Sequence, residues 1–213
     1  MTTRPTIPRR SSLHQYFARS LVFLLTIAFA VVTSDGLTAE VQPARTERRV
    51  ARRAIENFTL VDQNGARFDF ESLAGRVVIV SFAYTTCVDI CPLITTALRQ
   101  TQIGLTSKEH TQVELLTVTT DAEIDSPKVL NAYAKRYGAE FDNWAFLTGS
   151  PAALGHVWKN FGVGVKRRAR GLIDHTPLTA IVDPTRLMRF AYIGPSPDPH
   201  AMLDDVRSLL KQQ

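Results

Sequence analysis

Three features predict an α/β fold in which a sheet of mixed direction is covered by helices on both faces. The first is a pair of continuous apolar runs, Val77 to Ala83 and "VELLTVTT", of the kind carried by strands buried on both sides. The second is a pair of capped amphipathic helices, "SPKVLNAYAKRYG" and "SPAALGHVWKNFG". The third is the order of elements: a hairpin, strands alternating with helices, a strand pair and a terminal helix.

In chain order, "ENFTLVDQNGARFDF" has two short alternating runs around Asn64-Gly65 and predicts the hairpin. "SLAGRVVIVSFAY" adds a glycine turn and the first buried strand, Val77 to Ala83. "CPLITTALRQTQIGL" predicts a helix with Pro92 in its first turn, where a missing N–H costs nothing. "VELLTVTT" follows as a strand. Ser126 caps the next helix, with Pro127 at its start and Gly138 at its end, and the same grammar recurs from Ser150. "PLTAIVDP" and "LMRFAYIG" form a strand pair turning near Asp183-Pro184, and "PHAMLDDVRSLLKQ" is the last helix. A buried strand leading through cysteine into a helix, with a later strand pair and closing helix, is the layout of a thioredoxin-like fold. Here it carries an N-terminal β-hairpin extension and is expected over residues 55–213.

The 213-residue chain is 45% hydrophobic, enough for a real core, and carries a formal charge of +5. That charge is unevenly placed. Residues 1–39 hold four arginines against one aspartate, and residues 40–53 hold five against two glutamates, which leaves −1 for the rest. Nucleic-acid binding by the folded part therefore has no compositional support. Arginines, the apolar run "LVFLLTIAFAVV" and "GLTA" ending at Ala39 make residues 1–39 an export signal, either cleaved or kept as a membrane anchor. The twelve apolar residues fall short of the ~20 that span a bilayer as a helix. Both readings place the domain outside the cytoplasm, in the periplasm, soluble or held at the inner membrane. Residues 40–54 read as a basic, flexible tether whose arginines are solvated or rest on anionic lipid.

The only two cysteines, Cys87 and Cys91, stand in "SFAYTTCVDICP", at the carboxyl end of the first buried strand, where open α/β sheets collect their chemistry. A structural staple closing so short a loop would stabilise little. A redox couple is favoured by Cys91 lying beside the helix start, which makes it the expected thiolate. The three-residue gap exceeds that of the common Cys-x-x-Cys couple and leaves room for two thiolates to converge on one ion. A structural zinc site needs four ligands, so two histidines would have to join; copper is satisfied by two thiolates and one imidazole. Among the histidines, His14 belongs to the leader and His110 to a polar loop expected to face solvent. His156 sits on a helix beside Trp158, and His200 precedes the last helix. His175 stands immediately before a buried strand, in the loop that a thioredoxin-like sheet turns toward the cysteines.

With Tyr84-Thr85, Cys87, Cys91-Pro92 and Asp174-His175-Thr176, the chain resembles the SCO/SenC family of copper-binding assembly proteins. "TTDAEIDSPKVLNAYAKRYG", with Asp121, Asp125 and Pro127, and "WAFLTGSPAALGHVWKNFGVGV" are similar to further family segments, so the resemblance runs from about Glu56 to Leu210. It implies copper bound by Cys87, Cys91 and His175, and delivery to the CuA centre of cytochrome c oxidase subunit II. It also implies exchange with other copper carriers or thiol–disulfide reductases, and a thiol–disulfide role in preparing the acceptor cysteines. Two positions depart from the family pattern. Val88 replaces a common proline before Asp89, which loosens the loop, and Pro177 stands where thioredoxin-type reductases carry a cis-proline. A cis bond there would favour disulfide exchange; a trans proline entering an edge strand is the plainer reading. "KRRAR" (Lys166 to Arg170) reads as a solvated hairpin or a docking patch for an acidic partner. Asp174 either orients His175 or is an exposed loop acid.

Overall fold

A computed structural model describes residues 45–212. The expected leader, residues 1–39, and the start of the expected tether lie outside the described residues. The elements are β1 (Glu47–Ala54), β2 (Thr59–Val61), β3 (Arg67–Asp69), β4 (Val77–Ala83), α1 (Ile90–Ile103), α2 (Ser107–His110), β5 (Val113–Thr119), α3 (Pro127–Arg136), β6 (Trp144–Leu147), α4 (Pro151–Phe161), β7 (Val165–Arg167), β8 (Ile173–His175), β9 (Leu178–Val182), β10 (Leu187–Ile193) and α5 (Pro199–Leu210).

Alternation of side chains along β4 divides the interior into two cores. Val78, Val80 and Phe82 face one side of the sheet, and Val77 and Ile79 the other. On the first side they meet Leu154, Val157 and Phe161 of α4, together with Phe58, Leu60 and Phe70 around the β2–β3 hairpin. The Phe82 and Phe161 rings pack edge-on at 5.4 Å. On the second side lie Ile94 and Leu98 of α1, Leu130 and Tyr133 of α3, and Met202, Leu203 and Val206 of α5. Each such side chain contributes about 1.5–3 kcal/mol by leaving water, so these two layers hold the sheet. The helix ends follow the sequence. Ser126 and Ser150 accept the amides of Val129 and Ala153, and Gly162 ends α4 at φ +75°, a left-handed conformation that glycine adopts without strain.

The sheet order is β1-β10-β9-β4-β5-β6, and the fold is thioredoxin-like. β4 and β5 run parallel and level, from Val77↔Val113 to Ala83↔Thr119. β9 runs antiparallel to β4, with Ser81 opposite Thr179. The chain leaving β4, the chain leaving β5 and the chain entering β9 therefore meet at one end of the sheet.

Three sequence readings change here. From Glu47 onward the expected tether is β1, paired to β10 from Glu47↔Ile193 to Ala54↔Leu187, so the domain begins before residue 55. Only Ala51 of this edge strand is partly buried, so it has no apolar alternation to reveal it, and its charges guard the open edge. The strand is held instead by Arg48, which bonds both oxygens of Asp205 and lies 4.6 Å over the Phe190 ring. "WAFL", not assigned to a strand from sequence, is β6. The described residues contain no cis peptide bond, and Pro177 leads into β9, an interior strand rather than an edge. No helix among the described residues is long and apolar enough to cross a membrane.

Candidate functional site

The helix start dictates the local chemistry of the cysteines. Asp89 is the N-cap of α1, and Ile90, Cys91 and Pro92 form its first turn, where the Ile90 and Cys91 amides have no partners inside the helix. The Cys91 amide points at Cys87 Sγ, 3.4 Å away. The Cys87 thiol is pushed down to about 5, chiefly by the Cys91 thiol donating to its sulfur and then, against the cost of burial, by the amides of Cys91, Asp89 and Ile90. Cys91 is pushed up, by that shared proton and by burial. The thiolate thus belongs to Cys87 and not to Cys91, as the sequence had suggested. Cys91 lies inside the first turn, 0% exposed, whereas Cys87 sits just outside it, where the amides converge, and is 8% exposed. Both are free thiols, with no disulfide between them.

His175 ends β8 and comes from the far end of the sequence to the same place. Its Nε2 is 3.8 Å from Cys91 Sγ, and its Nδ1 is 3.1 Å from the Thr176 carbonyl oxygen. A carbonyl only accepts, so Nδ1 carries the proton and the Nε2 lone pair faces the sulfur. Burial lowers the pKa of His175 and keeps the ring neutral. Tyr84 packs edge-on to the imidazole, ring centroids 6.0 Å apart. Tyr84, Cys87, Ile90, Leu172, Ile173 and His175 line a cleft of about 400 Å³, and Val88 stands at its lip, 93% exposed. Among the described residues no three His, Cys, Asp or Glu side chains are grouped tightly enough to enclose an ion as they stand. Cys91 and His175 face each other while Cys87 faces the helix amides.

The remaining candidates lie elsewhere. His14 is outside the described residues. His110 is in α2 and not a solvent-facing loop; its Nε2 is 3.2 Å from the Gln102 carbonyl. His156 is half exposed, 3.6 Å from Glu56, and the His200 amide donates to Asp198 at the start of α5. No second histidine lines the cleft among the described residues, which removes the support for a four-ligand zinc site. Asp174 pairs with Arg168 at 2.5 Å and does not orient His175; the Thr176 carbonyl does. Sequence reasoning missed Tyr84 as a cleft wall and the amides that activate Cys87. The visible signal for both was position, on a chain leaving a buried strand for a helix start.

The SCO1/SenC family model matches residues 46–211. A SCO1 protein homolog of Bacillus subtilis is 39% identical over 95 residues, 45% of this chain and 49% of that protein, so the aligned stretch spans about half of the relative. The solved structure of BsSco, a member of the Sco family of cytochrome c oxidase assembly proteins in which a disulfide switch was identified, superposes with a TM-score of 0.68 at 30% identity. That match covers 78% of this chain and 98% of the other. Yeast Sco1 solved with copper bound gives a TM-score of 0.64 at 26% identity, covering 76% and 90%. With the family model spanning nearly all of the described domain, the chain belongs to the SCO1/SenC family.

Proposed function

We propose that the domain is a copper carrier. It takes the ion between Cys87, Cys91 and His175 and delivers it to the CuA centre of cytochrome c oxidase subunit II during oxidase assembly. The 3.8 Å between Cys91 Sγ and His175 Nε2 carries this reading. Two donors bound to one ion at about 2.3 Å (sulfur) and 2.0 Å (nitrogen) stand about 3.7 Å apart when the angle between them is about 120°. The donor chemistry fits as well: thiolates select Cu(I), and the neutral imidazole presents its lone pair. Cys87 completes the set by turning from the helix amides toward the ion. A three-donor site leaves copper open to an incoming thiolate, so the cargo passes by ligand exchange. Copper bound in yeast Sco1 and the oxidase-assembly role of BsSco's family support the assignment. The leader exports the domain to the periplasm, soluble or held at the inner membrane, where other copper carriers load it and thiol–disulfide reductases keep its cysteines reduced.

Titrating the reduced protein with Cu(I) against a chromophoric chelator tests this. One ion per chain is expected, with binding abolished in Cys87→Ser and Cys91→Ser. His175→Ala should lose more than the roughly tenfold to hundredfold that removal of an outer hydrogen bond costs a metal site. Unchanged affinity in His175→Ala removes the histidine from the site, and no binding by the parent protein ends the carrier reading.

The split between a Cys87 thiolate and a Cys91 thiol favours a second reading, reduction of the acceptor's disulfide. Cys87 would attack one acceptor sulfur and release the other as a thiolate. Cys91, giving up its proton, would then attack Cys87 Sγ, form the Cys87–Cys91 disulfide and release the acceptor fully reduced by two electrons. Incubation of the reduced protein with an oxidised acceptor domain should yield equal amounts of acceptor dithiol and oxidised chain. Acceptor that stays oxidised refutes it.

A further inference from the structure

Between β5 and α3, residues 120–126 form a turn that bears two buried carboxylates, Asp121 (1% exposed) and Asp125 (0%). Asp125 accepts the Thr85 amide at 3.1 Å, the Thr85 hydroxyl and the Thr119 hydroxyl. Thr85 stands two positions before Cys87, so this carboxylate pins the chain as it leaves β4 for the cysteine loop. Asp121 accepts the amides of Glu123 and Ile124, at 3.1 and 3.3 Å, and the guanidinium of Arg167. Arg167 is on β7, opposite Ile173 in the register that places Val165 opposite His175. The two residues are tied through the backbone, because the Asp125 amide donates to the Asp121 carbonyl at 3.0 Å.

Stability alone does not call for this arrangement. Burying ionised groups costs several kcal/mol each, and apolar residues of similar volume commonly serve as well or better. The second oxygen of Asp121 and the Thr120 hydroxyl have no partner among the described residues. Arg167 is also within 3.4 Å of Glu123, and Arg168 is paired to Asp174, so two of the "KRRAR" cations have acidic partners within the domain.

We propose that the 120–126 turn is a two-ended brace in which Asp125, through Thr85, and Asp121, through Arg167, are positioning residues that set the spacing between the cysteine pair and His175. The brace rests on the copper-carrier reading for its effect on affinity, and it is also testable on copper-free protein. In the full-length reduced chain, Arg167→Gln should weaken Cu(I) binding about tenfold, as loss of an outer contact does, with recovery in Arg167→Lys. That loss should vanish in a His175→Ala background, because Arg167 acts through the histidine arm. In copper-free protein, Asp125→Ala should speed reaction of Cys87 with a neutral disulfide reagent, with Asp125→Asn near the parent and Arg167→Gln unchanged. A merely structural role predicts a lowered unfolding temperature and a copper effect of the same size with or without His175; either that additivity or equal Cys87 rates in all variants overturns the brace. Should Arg167→Gln fail to fold, Asp121→Asn, which removes the charge at the other end of the same contact, carries the cycle. If the parent binds no copper, the carrier reading falls and the Cys87 rates alone decide the brace.

Discussion

Cys87 should keep its reactivity in acid, where an ordinary thiol loses it. With the thiol pushed down to about 5, about 99% is thiolate at pH 7 and about 76% at pH 5.5, a fall of under a third. An unperturbed thiol near 8.5 goes from about 3% to about 0.1% over the same interval, a loss of about thirtyfold. The ratio between the two pH values is the quantity to measure, because partial burial slows attack equally at both. Absolute rates at pH 7 are uninformative for a second reason. The roughly thirtyfold gain in thiolate fraction is cancelled by a similar loss of intrinsic nucleophilicity over a pKa difference of about 3.5, with a Brønsted slope of about 0.4–0.5. The assay follows release of the first chromophore from a neutral aromatic disulfide by the reduced, metal-free protein, with free cysteine in parallel. Cys91→Ala removes the largest cause of the shift and should steepen the profile toward that of free cysteine. A thirtyfold drop in the parent protein between pH 7 and 5.5, or first attack by Cys91, would refute the placing of the thiolate on Cys87.

Glu114 is pushed up from 4.5 to about 7 by burial, despite Arg76 at 2.9 Å. A raised pKa favours the protonated folded form, so its stabilising contribution is full below about 4.5 and is lost as pH rises to about 7. Thermal unfolding of Glu114→Gln should show a flatter dependence across that window than the parent, and parallel curves would contradict it. Asp205→Ala leaves the Tyr192 hydroxyl and Arg48 without their acceptor. Urea unfolding should register a loss of about 1–3 kcal/mol, kept modest because Arg48 is partly exposed and rehydrates. Phe161→Ala removes a ring packed against Phe58 and Phe82 and should cost about 3–5 kcal/mol in the same assay; a loss below 1 kcal/mol would mean that the core closes over the gap.

Much of this protein is determined locally and is therefore legible in its sequence. Val77 to Ala83 is apolar at every position but Ser81, and such a run has no other place than between two covered faces. Ser126-Pro127 and Ser150-Pro151 carry their helix starts within a single turn. The cysteine motif and the histidine before β9 likewise stand out in the sequence, and the fold brings Cys91 and His175 to 3.8 Å. Tertiary structure decided whatever depends on a partner distant in sequence or on the direction of a backbone amide. β1 is a strand because β10 pairs with it, and its own residues, nearly all exposed, show no period. The thiolate sits on Cys87 because the Cys91 thiol donates to its sulfur and the first-turn amides converge on it, which no residue spacing records. Arg167 and the carboxylates of Asp121 and Asp125 look like surface charge in one dimension. Only the level ends of β4 and β5 bring them between the cysteine loop and the histidine hairpin, because parallel strands in register deliver their following loops side by side.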